Sequence, residues 1–117
     1  MILIIDDNEA SRNSIESTLQ TAGYITHSCH NGLLALKYYA ELANEIDIII
    51  IDLVMTMING ERCIPLLREV HSETKVIITS THKDSKDIED LNKQGFSLLK
   101  KPINSSELNK LINILKN

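Results

Sequence analysis

Two short runs constrain this chain more than anything else in it: ILII at residues 2–5 and IDIIII at residues 46–51. Both are apolar almost without interruption and mostly β-branched. A strand with one face in water alternates polar and apolar positions. A strand that stays apolar at successive positions is covered on both faces, as the central strands of a parallel sheet are. Three further runs, at 24–28, 76–79 and 97–100, read as shorter strands. Amphipathic stretches follow the five runs. The first carries Ala10, Ile15, Leu19 and Ala22 as an apolar stripe, and Gly23 supplies a stop signal. The second runs over 33–43. The third follows Asn59-Gly60 with Ile64, Leu67 and Val70, and Pro65 imposes a late start or a kink. The fourth covers 85–94 and ends at Gly95. The fifth covers 105–115, with Asn104 as its cap and Glu107 three residues on, as in a capping box. A strand and a helix repeated five times predict a parallel sheet with helices on both faces.

A chain of 117 residues suits one domain and buries a core without disulfides or metal staples. Aromatic residues make up only 3%, so that core must be aliphatic. The formal net charge of −4 argues against a nucleic-acid surface, which needs clustered Lys and Arg. Cys29 and Cys63 form no CxxC pair and no Cys/His cluster at metal spacing, which leaves two reduced, buried thiols. His27, His30, His71 and His82 are scattered. The chain enters its first strand with no basic leader, and no apolar run approaches the ~20 residues of a membrane span. The expectation is a soluble cytoplasmic chain forming one domain over residues 1–117, with no output domain attached.

Ligands of an open parallel α/β sheet sit beyond the carboxyl ends of its strands. There the first strand delivers Asp6 and Asp7, and the third Asp52. The fourth gives Thr79, Ser80 and Thr81, and the fifth Lys101, followed by Pro102. Taken singly these residues are commonplace, since Asp after a strand is often a turn former or a cap. Together they put three carboxylates, several hydroxyls and one ammonium on one edge. Two like charges at 4 Å repel by roughly 4 kcal/mol at an effective dielectric constant of 20. Such a cluster calls for a cation or a raised pKa. Oxygen-only donors suit Mg²⁺, and nothing in the set suits zinc.

The same residues carry a family resemblance. ILIIDDN, CHNGLLAL, IIIIDLVMTMING, KVIITST and KKP follow one another in an order and spacing that resemble the response regulator receiver family along the whole chain. The resemblance implies a flavodoxin-like, doubly wound (βα)5 fold with strand order 2-1-3-4-5. It implies Asp52 as phosphoacceptor, Asp7 as a direct Mg²⁺ ligand, and Asp6 as a helper through water. Asp52 itself and the main-chain carbonyl of Val54 would complete the metal set. Lys101 would pair with the phosphoryl group and Ser80 would hydrogen-bond it. The chemistry agrees, because a carboxylate can accept phosphate covalently, and phosphoryl transfer needs mainly positioning and neutralised charge. The implied partners are a histidine kinase or phosphotransfer protein and a downstream protein target or output domain, with no nucleic acid and no membrane. The face made by the fourth helix, fifth strand and fifth helix would serve signalling and a weak homodimer. Such a chain is not a classical enzyme: it catalyses only its own phosphorylation and dephosphorylation.

Three residues depart from the family pattern. Thr56 stands where proline is usual, Thr81 where alanine is common, and Leu98 where the switch aromatic sits, with Phe96 the only aromatic nearby. They predict intact acceptor chemistry with a muted or rerouted readout. The alternative is a degenerate receiver acting as a phosphorylation-independent protein-binding module. A Mg²⁺-dependent phosphohydrolase is disfavoured, because Val54 occupies the place of the second acid/base Asp such enzymes use.

Overall fold

The computed structural model describes residues 1–52, 74–81, 93 and 95–116. It holds five strands: β1 (Ile2–Ile5), β2 (Thr26–Cys29), β3 (Ile48–Asp52), β4 (Lys75–Ser80) and β5 (Ser97–Lys100). Three helices are described: α1 (Glu9–Thr21), α2 (Gly32–Leu42) and α3 (Ser105–Lys116), the last being the fifth helix of the sequence pattern. The predicted third helix with Pro65, most of the predicted fourth helix, and Val54, Thr56, Cys63, His71 and His82 lie outside the described residues.

All strands are parallel, in the order β2-β1-β3-β4-β5. The two runs that dominate the sequence lie side by side, from Ile2 opposite Ile48 to Ile5 opposite Ile51. Every residue of β1 and β3 is buried, whereas the edge strands β2 and β5 are largely half-exposed. The lack of alternation in ILII and IIII is thus the signature of two central strands with both faces covered.

Alternate side chains feed two apolar layers. Leu3, Ile5, Ile49, Ile51, Val76 and Ile78 pack with Ala35 and Tyr39 of α2. Ile2, Ile4, Ile48, Ile50 and Ile77 pack on the other face with Ile15 and Leu19 of α1 and Leu108 and Ile112 of α3. Each such side chain contributes about 1.5–3 kcal/mol over its exposed state, so the aliphatic layers hold the sheet. Tyr39 is admitted to the dry layer because its hydroxyl and that of Thr74 hydrogen-bond each other at 2.5 Å.

Each described helix begins just past the carboxyl end of a strand, under an asparagine cap. The Oδ1 atoms of Asn8, Asn31 and Asn104 accept the N–H groups of Ser11, Leu34 and Glu107 at 2.8, 2.9 and 3.0 Å. Asn104→Ala should therefore cost about 1 kcal/mol, read as a lower urea midpoint at unchanged slope. An unmoved midpoint would show that the cap contributes nothing. Helix α1 stops where Gly23 takes φ 94°, a value that residues with a Cβ rarely adopt.

The structure moves several expected boundaries. The turn at Gly23 consumes residues 24 and 25, so β2 starts at Thr26, and Tyr24 packs partly into the layer beside α1 and α3. Ala10 and Ala22 are exposed, since one lies in the first turn beyond the sheet edge and the other is the C-cap. The buried stripe of α1 is therefore Ile15 and Leu19. Among the described residues no helix is long and apolar enough to cross a membrane.

Candidate functional site

The strand order reverses direction around β1 and β3, which are neighbours although a whole βα unit separates them in sequence. A crevice opens at such a switch point, outside the carboxyl ends of the strands. Asp6 and Asp7 follow β1 there, and Asp52 ends β3. One carboxylate oxygen from each of the three lies within 4.8 Å of the other two. Asp6 and Asp52 are buried, and Asp7 is half-exposed.

Lys101 comes from the far edge. Its backbone N–H donates to the Ser80 carbonyl at 2.9 Å, which ties the end of β5 to the end of β4. Its ammonium reaches past β4 and donates to Asp6 Oδ2 at 2.8 Å and Asp52 Oδ2 at 3.0 Å. Burial by itself would lower the Lys101 pKa. The hydrogen bonds to Asp6 and Asp52, with the charges of both, outweigh burial and raise it above the ordinary lysine value. A raised value favours the cation in the folded state. Its stabilising effect is complete below the ordinary lysine range and is lost only as pH climbs through the raised value, in the alkaline region. The ammonium is therefore a fixed charge across neutral pH.

Asp6 is held from every side. Its Oδ1 accepts the Asn8 N–H at 2.9 Å, its own N–H donates to the Cys29 carbonyl at 3.1 Å, and its carbonyl accepts from Arg12 Nη1 at 2.8 Å. Asp7 is the carboxylate that meets solvent. One ammonium faces three carboxylates, so the cluster keeps a negative excess able to bind a metal ion. Its all-oxygen donors match Mg²⁺ rather than a softer metal.

The hydroxyls divide between the two faces. Ser80 is buried at the end of β4, in register with Lys100. Thr79 is 1% exposed and in register with Asp52 on one side and Leu99 on the other. Its Oγ1 has no hydrogen-bond partner among the described residues. Thr81 is exposed and borders, with Asn8, Ser11 and Lys101, a groove of about 490 Å³ beside the cluster. Phe96 is buried in the α2 layer, and Leu98 packs partly into the same layer. The Cys29 thiol is pushed up to about 11 by burial, against a lowering by Arg12, so it stays protonated and inert at neutral pH.

Asp6, Asp7, Asp52, Ser80 and Lys101 all arrive at one edge of the sheet, as their positions after the strands predict. Val54 lies outside the described residues. Arg12 was not among the sequence candidates. Its signal is its place four residues after the cap Asn8, one turn up the same side of α1, from which a long side chain can reach back to the loop after β1.

A family model described as "Response regulator receiver domain" matches residues 2–113. The chain is 31% identical over 108 residues to sensor kinase CckA of Brucella abortus (strain 2308), covering 92% of this chain and 11% of that protein. It is 27% identical over 112 residues to regulatory protein AtoC of Escherichia coli (strain K12), covering 95% of this chain and 24% of that protein. The chain thus spans a quarter or less of the length of these curated relatives. The structure of chemotaxis protein CheY4 of Vibrio cholerae superposes with a TM-score of 0.87 at 25% identity, over 97% of this chain and 96% of that one.

Proposed function

Because the chain belongs to the response regulator receiver domain family, we propose that it is a phosphoacceptor domain of a two-component or phosphorelay system, with Asp52 receiving the phosphoryl group. One observation carries this reading. Asp52 ends a wholly buried strand with its carboxylate beside those of Asp6 and Asp7 and 3.0 Å from the Lys101 ammonium. The donor is a phosphohistidine on a histidine kinase or a phosphotransfer protein. An Asp52 oxygen attacks the phosphorus, the O–P bond forms as the P–N bond breaks, and the electron pair stays on the imidazole nitrogen. An ionised carboxylate needs no base for this, so the protein's task is positioning and charge neutralisation. Lys101 offsets charge on the phosphoryl oxygens, and the Ser80 hydroxyl hydrogen-bonds them. Asp7, Asp52 and the Val54 carbonyl, with Asp6 alongside, would hold Mg²⁺, which would supply further positive charge to those oxygens.

Residues 1–117 act as a single cytoplasmic receiver domain that catalyses only its own phosphorylation and dephosphorylation. Its partners are the phosphodonor and a downstream protein target or output domain. Phosphorylation adds about −1.5 to −2 charges at the crevice and biases a two-state interaction surface. Most of the expected helix of residues 85–94, one side of the expected signalling surface, lies outside the described residues.

Acetyl phosphate with Mg²⁺ should add one phosphoryl group to the chain, seen by intact mass. A chain left unlabelled would overturn the reading and favour the phosphorylation-independent binding module. Lys101→Ala separates the roles further. It removes the ammonium shared by Asp6 and Asp52, so Mg²⁺ should bind as tightly as before or more tightly. The response to Mg²⁺ with beryllofluoride, a phosphoryl mimic, should weaken by about tenfold or more, the worth of a charge-assisted hydrogen bond. Amide NMR titrations of wild type and Lys101→Ala check this, and a mutant answering the mimic like wild type would refute the role.

A further inference from the structure

Arg12 belongs to the crevice, yet neither the acceptor chemistry nor the metal set uses it. It is half-buried at the end of the first turn of α1. A guanidinium this near a cluster of carboxylates would be expected to pair with one of them. Among the described residues Arg12 forms no ion pair. Its Nη1 donates instead to a neutral acceptor, the Asp6 carbonyl, at 2.8 Å.

The strand ladder explains why that carbonyl needs a donor. Ile2 and Asp6 donate their N–H groups to the carbonyls of Ile25 and Cys29. The same alternation would offer the Asp6 carbonyl the N–H of Asn31, two residues past Cys29. Asn31 has by then turned out of the sheet to cap α2, where its side chain accepts the Leu34 N–H at 2.9 Å. The chain after β1 thus outlasts its partner by one carbonyl, and the guanidinium takes the place of the ladder amide.

The consequence falls on Asp7, which lies between two pinned peptide planes. The Asp6–Asp7 plane is held at its carbonyl by Arg12. The Asp7–Asn8 plane is held at its amide, since the Asn8 N–H donates to Asp6 Oδ1 at 2.9 Å. The backbone N–H of Arg12 closes the turn by donating to the Asn8 carbonyl at 2.9 Å. Peptide planes are rigid, so holding both fixes the direction in which Asp7 carries its side chain.

We infer that Arg12 is a positioning residue: by holding the Asp6–Asp7 peptide it keeps Asp7 set to receive Mg²⁺. This rests on the reading of the crevice as a Mg²⁺ site. The charge of Arg12 works in the opposite direction, because a cation near the cluster repels Mg²⁺. The sign of the effect on Mg²⁺ binding therefore separates positioning from electrostatics.

The test compares wild type with Arg12→Met, which keeps an apolar stem but neither donor nor charge. Ile15→Val is the control. It loosens the packing of α1 at a residue 2% exposed, without touching Asp6. Mg²⁺ is titrated into each protein, folded by far-UV circular dichroism, and followed by amide NMR shifts. Arg12→Met should bind Mg²⁺ about tenfold more weakly, the scale on which a metal site responds to a residue that orients a ligand. Its Asp7 and Asn8 amides should also exchange hydrogen faster, as a local opening requires. Ile15→Val should melt at a lower temperature and keep the wild-type affinity for Mg²⁺. Tighter binding by Arg12→Met would make Arg12 a charge-balancing residue, and unchanged binding would make its hydrogen bond structural only. Either result overturns the inference, as does an equal loss of affinity in Ile15→Val. A wild type that binds no Mg²⁺ would instead remove the metal reading, and this inference with it.

Discussion

Asp52→Asn should abolish labelling by acetyl phosphate, to the detection limit of intact mass spectrometry, while leaving the fold in place. The amide nitrogen's lone pair is delocalised and the group carries no charge, so it cannot attack phosphorus as a carboxylate does. The side chain keeps its shape, and its remaining oxygen can still accept from Lys101, which retains its 2.8 Å bond to Asp6. Removing one of three clustered negative charges also relieves repulsion. Far-UV circular dichroism and the urea midpoint should therefore stay at or above wild-type values, which separates lost chemistry from lost structure. Equal labelling of the variant would mean that another side chain is the acceptor. Asp7 would be the first to test, as the half-exposed carboxylate of the cluster.

The second large effect is expected at Asp7. Asp7→Ala should weaken Mg²⁺ binding by about 100-fold or more, the scale on which a metal site responds even to its outer partners. Both Asp6 oxygens are engaged, by the Asn8 N–H and the Lys101 ammonium, and Asp52 Oδ2 also accepts from Lys101. Asp7 meets water and gives an incoming hydrated ion its first anionic contact. Mg²⁺ titrations followed by amide NMR shifts give the affinity directly. Equal affinities in wild type and variant would move the metal away from this crevice.

The fold was legible because its strongest signals are local. ILII and IIII declare two central strands by failing to alternate, and Asn104 with Glu107 marks a helix start that the structure reproduces. The edge strand β2 was placed two residues early because Tyr24 and Ile25 look like strand residues, and only the turn at Gly23 claims them. In the site, Asp6, Asp7, Asp52 and Lys101 were readable from their positions after strands. The division of labour among them was not. That Lys101 bridges Asp6 and Asp52 depends on strand order and side-chain reach, and no spacing in the sequence encodes either. Arg12 was hidden for a similar reason, since it acts on the main chain of Asp6. Thr79 was visible as one of three hydroxyls, but only the pleat of β4 separates it from Ser80.

The contrast between central and edge strands also sets which half of the crevice can move by itself. Local opening in a folded protein is easiest where few apolar contacts must break, and in the innermost strands it approaches the cost of unfolding the whole molecule. The carboxylates stand at the carboxyl ends of β1 and β3, the strands buried at every position, while their counter-charge comes from just past the half-exposed strand at the rim. The anionic side of the site is thus as persistent as the native state itself. The cationic side is tethered to a segment that can breathe on its own. Sequence drift at the rim can then retune how the lysine engages and releases while the acids stay where they are.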